Sequence, residues 1–192
     1  LKFRDVVADG EITADDRTFI GSPHPDFTTT LTFNAAFKNF DLSMLFYGSF
    51  GAEIYDLTRY YLDFYSLSAY NKHERTLDAW SPDNTGTDVP RLSLDDPNNN
   101  IRPSSYYVKN GDYVRLKNLQ IGYSIPENVL SGSKMRFYVQ VQNLFTITEY
   151  DGLDPEVGLQ NYSSNDRNRD IGVDRGVYPS TRTFTIGANL SF

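Results

Sequence analysis

Residues 5 to 16 read DVVADGEITADD, carboxylates at short spacing around a single glycine. That is the composition of a loop that wraps a calcium ion. On an EF-hand template Asp5 takes the first position, Asp9 the fifth, Gly10 the sharp turn, Glu11 the carbonyl ligand, Thr13 the ninth position and Asp16 the last. Val7 falls where an oxygen is needed, and Asp16 is shorter than the bidentate Glu that normally closes such a loop, so a cation would be held weakly. The expected reading is an acidic turn that feeds TFIGSPHPDF into the first strand. A calcium site at Asp5, Asp9, Glu11, Thr13 and Asp16 is the alternative, and no other cofactor is expected.

The remaining reactive side chains point away from catalysis. Asp151, Asp154 and Glu156 in DGLDPEVG have the composition of a glycosidase carboxylate pair, but Asp-Gly and Asp-Pro are turn chemistry first. His24 lies between two prolines and His73 in a charged stretch, neither with a partner that suggests a triad or a zinc site. No phosphate-binding glycine loop is present, and the chain is expected not to be an enzyme. Aromatics dominate one segment, IYDLTRYYLDFYSLSAY, and Trp80 follows it. Tyr and Trp faces beside Asp and Asn suit sugar rings or peptide side chains, which makes Tyr70 and Trp80 the candidate substrate contacts. For most of these aromatics, packing a short helix onto the loop or a partner is the expected role.

Composition narrows the partners. With 25 acidic against 18 basic residues the net charge is -7, so a phosphate-tracking surface is not on offer and nucleic acid is excluded. The absence of cysteine excludes disulfides and thiolate metal sites. No apolar run approaches the ~20 residues of a membrane helix. The chain is therefore soluble, or it meets lipid as strands. Because the first residue is Leu1, a piece of a longer polypeptide is expected.

Those side chains must be positioned by strands. Five segments alternate with period two. Phe27, Leu31, Phe33 and Phe37 share a face in the first, and Phe40, Leu42, Met44 and Phe46 in the second. Leu119, Ile121, Tyr123 and Ile125 do so in the third, Met135, Phe137, Val139, Val141 and Phe145 in the fourth, and Phe184, Ile186, Ala188, Leu190 and Phe192 in the last. The five apolar faces carry no charge, and Thr29 and Asn143 are their only clearly polar members.

Short turns join the first two strands and the next two, whereas more than fifty residues separate the second from the third and more than thirty the fourth from the fifth. Loops of that length are uncommon in compact soluble domains, and here they leave from one side. Short turns on one rim and long loops on the other are the pattern of a transmembrane β-barrel. Phe27 and Phe37 are ten residues apart. At ~3.3 Å per residue and a tilt of ~40–45° they span about 25 Å, the height of an apolar band between aromatic girdles. Alternation alone also fits one half of a soluble β-sandwich, such as a surface glycan-binding module. Five strands cannot close a barrel, so most of it would lie outside this sequence.

The segments DGEITADDRTFIGSPHPDF, KNFDLSMLFYGSFGAEIYD, GDYVRLKNLQIGYSIP, RFYVQVQNLFTITEYDGLDPEVG and GVYPSTRTFTIGANLSF occur in this order over nearly the whole chain. Together they resemble the closing strands of SusC/RagA-type TonB-dependent outer-membrane transporters. The resemblance implies an all-β segment, the C-terminal antiparallel strands of a plugged barrel of roughly 22 strands. It implies an outer-membrane importer of oligosaccharides or peptides, driven by TonB and working beneath a SusD-like surface lipoprotein. The plug and the TonB-contacting segment are absent from this sequence. The expected organisation is an extracellular acidic loop over 1–26, a strand hairpin over 27–50, an extracellular loop over 51–111, a second hairpin over 112–146, another extracellular loop over 147–181 and a terminal strand over 182–192. Phe192, on the lipid face at the end of that strand, resembles the signal read by the barrel-assembly machinery. Deleting Phe192 from the full-length protein should lower the amount of heat-modifiable barrel in the membrane, and an unchanged amount would remove that role.

Overall fold

The computed structural model describes residues 1–66, 70–126, 129, 132–158 and 170–192. In chain order its elements are β1 (Phe27–Phe37), β2 (Phe40–Phe50), β3 (Glu53–Asp56), a short helix α1 (Thr58–Leu62), β4 (Val108–Asn110), β5 (Tyr113–Ser124), β6 (Lys134–Gln142), β7 (Thr146–Thr148), β8 (Val173–Asp174) and β9 (Thr183–Ser191), with short 3-10 helices at Ala14–Asp16, Glu74–Asp78 and Ser105–Tyr107. They sort into two compact units. One comprises Leu1–Pro23, Glu53–Lys109 and Val157–Gly176; the other comprises His24–Ala52, Asn110–Glu156 and Val177–Phe192.

The second unit is one antiparallel sheet of order β1-β2-β5-β6-β9, with β7 paired to β5. Threonine, valine and aromatic side chains populate its strands, as a pleated surface favours. β1 and β2 pair without a break from Phe27↔Phe50 to Phe37↔Phe40. Ser124 N–H donates to Asn39 O at 2.8 Å and ties the two short turns together at one rim. β1, β5 and β9 begin at the opposite rim, where the long segments leave and return. One face of the sheet is apolar and uncovered: Leu31, Phe33, Ile121, Phe137, Val139, Phe184 and Leu190 are all exposed, and Ile186 is 83% exposed. Rings mark both ends of that face, Phe27 stacked on Phe50 at 4.9 Å and Phe40 against Tyr123 at 4.8 Å.

Two bulges shift the strand limits from those read in the sequence. Leu45 pairs with Asn118 and Phe46 with Leu116, which leaves Lys117 without a partner on β2. Pairing therefore begins at Tyr113, five residues before the point where plain alternation starts. Across the bulge Leu116 and Val114 join the apolar face, while Arg115 and Tyr113 join the polar one. The fourth strand is not continuous to Phe145 either. Asn143, expected on the apolar face, has φ 51 and interrupts the ladder between β6 and β7. Its N–H donates to Lys117 O at 3.2 Å, and Leu116 N–H to Phe145 O at 3.1 Å, so the two irregularities sit against each other.

In the first unit β4, β3 and β8 form a small sheet, with β3 and β8 parallel. Ile54, Phe64, Val89 and Tyr107 are its buried apolar residues.

Left-handed backbone at two turns yields a paired expectation. Gly51 ends β2 with φ 86, and a Cβ there would meet the Asp26 carboxylate. Lys38 holds φ 53 in the β1–β2 turn, where a side chain is the costly choice. Gly51→Ala should lower stability by about 1–2 kcal/mol, whereas Lys38→Gly should raise it by up to ~1 kcal/mol, read from urea midpoints of the intact folded protein.

Candidate functional site

The polar face of the large sheet is where charge and hydrogen-bonding capacity gather. Its middle carries neutral groups in register: Ser43, Gln120, Gln140 and Thr185 lie side by side across β2, β5, β6 and β9. Charges flank that row. Arg136 on β6 reaches across β5 to Asp41 on β2, its Nε donating to Oδ1 at 2.9 Å. Gly122 makes the crossing feasible, because a Cβ there would collide with both partners. The same guanidinium lies over the Tyr138 ring, 5.4 Å from its centroid.

Nearer the other rim Arg115 is buried, 2% exposed, with an acid that is nearly as deep, Asp154 at 4%. Arg115 Nη2 donates to Asp154 Oδ1 at 2.5 Å, Nη1 to Glu156 Oε2 at 2.7 Å and to Ser180 Oγ at 2.8 Å, and Nε to Thr146 Oγ1 at 2.7 Å. Asp154 also accepts from the N–H of Glu156 at 2.9 Å and of Ser180 at 2.8 Å. Burial pushes the Asp154 carboxyl up, but the Ser180 N–H, the Arg115 guanidinium and the Glu156 N–H outweigh it and hold it below the ordinary carboxylate range. Lys117 adds a more exposed bridge to Glu156 at 2.6 Å and faces the Tyr47 ring at 5.7 Å. Asp154 and Glu156 of DGLDPEVG are therefore spent on cations of β5. Sequence reading missed this cluster because the bulge at Lys117 hid the first half of β5.

The loop-derived unit has its own buried polar core. Asp56, just before α1, accepts from Thr58 N–H at 3.0 Å and pairs with Arg59 Nε at 3.2 Å. Tyr106 OH donates to Asp63 Oδ2 at 2.6 Å, while the Arg59 guanidinium covers the Tyr106 ring at 5.3 Å. Burial pushes the phenols of Tyr106 and Tyr107 up. Of the aromatic segment, Tyr55 stacks on Tyr107 at 5.3 Å and Phe64 is buried, while Tyr61 and Tyr65 are exposed.

The residues singled out from sequence fall as follows. Tyr70 is 74% exposed, and residues 67–69 beside it lie outside the described residues. Trp80 is half-exposed, its N–H donating to Val89 O at 2.9 Å, and no ring contact joins it to Tyr70 among the described residues. In the acidic loop Asp5 accepts from the N–H groups of Ala8 at 2.6 Å and Gly10 at 2.8 Å, and Asp9 from Glu11 N–H at 2.9 Å. Asp16 accepts from Val6 at 2.7 Å and Thr13 at 2.7 Å, and these N–H groups hold its carboxyl below the usual range. Thr13 caps the turn in return, accepting from Asp15 N–H at 3.2 Å. The Glu11 and Thr13 positions are thus part of a self-capped turn, and no group of three or more His, Cys, Asp or Glu side chains is disposed to hold a metal among the described residues. Phe192 is 98% exposed just beyond β9.

Comparison with known proteins gives the class. No family model matches the chain. It is 43% identical over 193 residues to TonB-dependent receptor P3 of Formosa agariphila, covering 99% of this chain and 19% of the relative. It is 29% identical over 194 residues to TonB-dependent receptor SusC of Bacteroides thetaiotaomicron, covering 99% and 17%. Among solved structures, the RagAB peptide transporter superposes with a TM-score of 0.76 at 29% identity, covering 95% of this chain and 19% of that one. The chain spans about a fifth of the length of these relatives. With a match along almost its whole length and an open antiparallel sheet that follows the transporter's wall, the chain belongs to the SusC/RagA-type TonB-dependent receptors, as a segment of their transmembrane β-barrel.

Proposed function

We propose that the chain forms part of the wall and of the extracellular loops of an outer-membrane importer for oligosaccharides or peptides. TonB energises it through a segment that this sequence does not include, and a SusD-like surface lipoprotein works above it. The observation that carries this reading is the division of the sheet: one face apolar and bare, the other polar with Asp41, Arg115, Lys117 and Arg136 all paired. A soluble sandwich would bury the first face against a second sheet; a barrel turns it to lipid and the other to a polar lumen. The RagAB neighbour is a peptide transporter, which supports peptide as one of the two substrate classes. The chain acts by binding and passage rather than catalysis, a reading supported by the engagement of Asp154 and Glu156 with Arg115 and Lys117.

Removing the gene for the intact protein should abolish uptake of its substrate, and a proton uncoupler should do the same in the parent strain. Uptake that survives both treatments would contradict an energised importer. Arg substituted at Leu31 or Val139 should cost about 2–4 kcal/mol of barrel stability, and less at Leu190, the last residue but one of β9, against little at Gln140 or Thr185, read as urea midpoints in lipid. For the acidic loop we propose a turn without a bound ion. Calorimetric titration with millimolar calcium should release no heat, and a saturable signal lost in Asp5→Asn would reverse that assignment.

A further inference from the structure

We propose that Arg115 is a positioning residue for uptake, tying both limbs of the segment between β7 and β9 to the polar face of β5 so that the loop stands on a closed base. The proposal rests on the importer reading only for its consequence in transport. The geometry is independent of it. Asp154 and Glu156 lie on the outgoing limb and Ser180 on the returning one, and the one guanidinium bonds to all three. Asp154 repeats the closure through the main chain, because its two oxygens accept from Glu156 N–H on one limb and Ser180 N–H on the other. Pro155 between the two acids fixes the backbone that presents them. Asn143 Nδ2 adds a stitch to the returning limb, donating to Thr181 O at 3.1 Å.

A fork of donors suits this position better than a single ammonium, since acceptors from three stretches of chain, Thr146, Asp154 with Glu156, and Ser180, must be met at once. Water cannot replace it cheaply, because Arg115 and Asp154 are both almost fully buried. The strands do not need the clasp. β6 pairs with β9 from Lys134↔Ser191 to Gln142↔Thr183, and with β5 from Ser124↔Arg136 to Asn118↔Gln142, all through main-chain ladders. Loss of Arg115 should therefore loosen the limbs and leave the wall. Limbs left loose cost more to order when substrate or the surface lipoprotein arrives, so affinity rather than passage is what should suffer.

The test uses the full-length receptor in lipid, with Arg115→Met, Arg115→Lys and Ser180→Ala. Hydrogen exchange of amides in 150–158 and 177–182 should rise about tenfold in Arg115→Met with β5, β6 and β9 unchanged, and Arg115→Lys should recover part of the protection. Ser180→Ala, which keeps the ion pair, should loosen the returning limb alone and serves as the deciding variant if Arg115→Met does not assemble. Uptake by Arg115→Met should show a half-saturating concentration raised about tenfold, with the maximal rate per surface receptor within about twofold of the parent. Unchanged exchange in both limbs, or a uniform rise through the sheet, would overturn the clasp. A lower maximal rate at unchanged half-saturation would overturn its positioning role. If the parent receptor takes up neither peptide nor oligosaccharide, the importer reading falls while the exchange result still decides the clasp.

Discussion

A sheet with hydrocarbon on one side and a polar lumen on the other must keep its alternation in phase along every strand, because a one-residue slip exchanges the two faces. Everything else in the large sheet answers to that constraint. Where the ladder needs an extra residue, at Lys117 in β5 and around Asn143 between β6 and β7, the bulges return each strand to phase. Leu116 and Val114 stay with Ile121 on the apolar face, and Arg115 stays with Gln120 on the polar one. Had β5 continued without a bulge over the same residues, Arg115 would have pointed to the lipid side, at a cost that grows with its depth.

The polar face can accept charge only on terms set by its partners. Asp41 and Arg136 neutralise each other across an intervening strand, which needs the bare backbone of Gly122 beneath them. Arg115 and Lys117 find their acids in DGLDPEVG, and so the neutralisation of the wall and the anchoring of a loop are the same set of bonds. The loop-derived unit follows the same rule where Asp56 pairs with Arg59 and Asp63 accepts from Tyr106.

The apolar face was legible in the sequence because period-two alternation needs no knowledge of what lies opposite; Phe27 to Phe37 and Phe184 to Leu190 show it plainly. The start of β5 was not legible. Its bulge breaks the period at Lys117, so the alternation of YVRLK, Val114 and Leu116 against Tyr113 and Arg115, runs out of phase with that of the residues after it. The partners of Arg115 lie 39, 41 and 65 residues away, in turns whose Asp-Gly and Asp-Pro steps read as local chemistry. In the acidic loop the carboxylates have a spacing that suits a cation, and what spacing does not reveal is that Asp5 and Asp16 accept from the N–H groups of Ala8, Gly10, Val6 and Thr13. Tyr70 and Trp80 were singled out by type, and exposure alone leaves their role as substrate contacts a proposal for the intact receptor.

The central claim, that the apolar face meets lipid, is open to direct measurement because the chain contains no cysteine. Single cysteines at Leu31, Val139, Leu190, Gln140 and Thr185 of the full-length receptor, each carrying a fluorophore, can be compared for quenching by lipid-borne and aqueous quenchers after reconstitution. Lipid quenching at Leu31, Val139 and Leu190 with aqueous quenching at Gln140 and Thr185 is the result this account predicts. If the first three are shielded from both quenchers, the apolar face is covered by protein and the account is wrong.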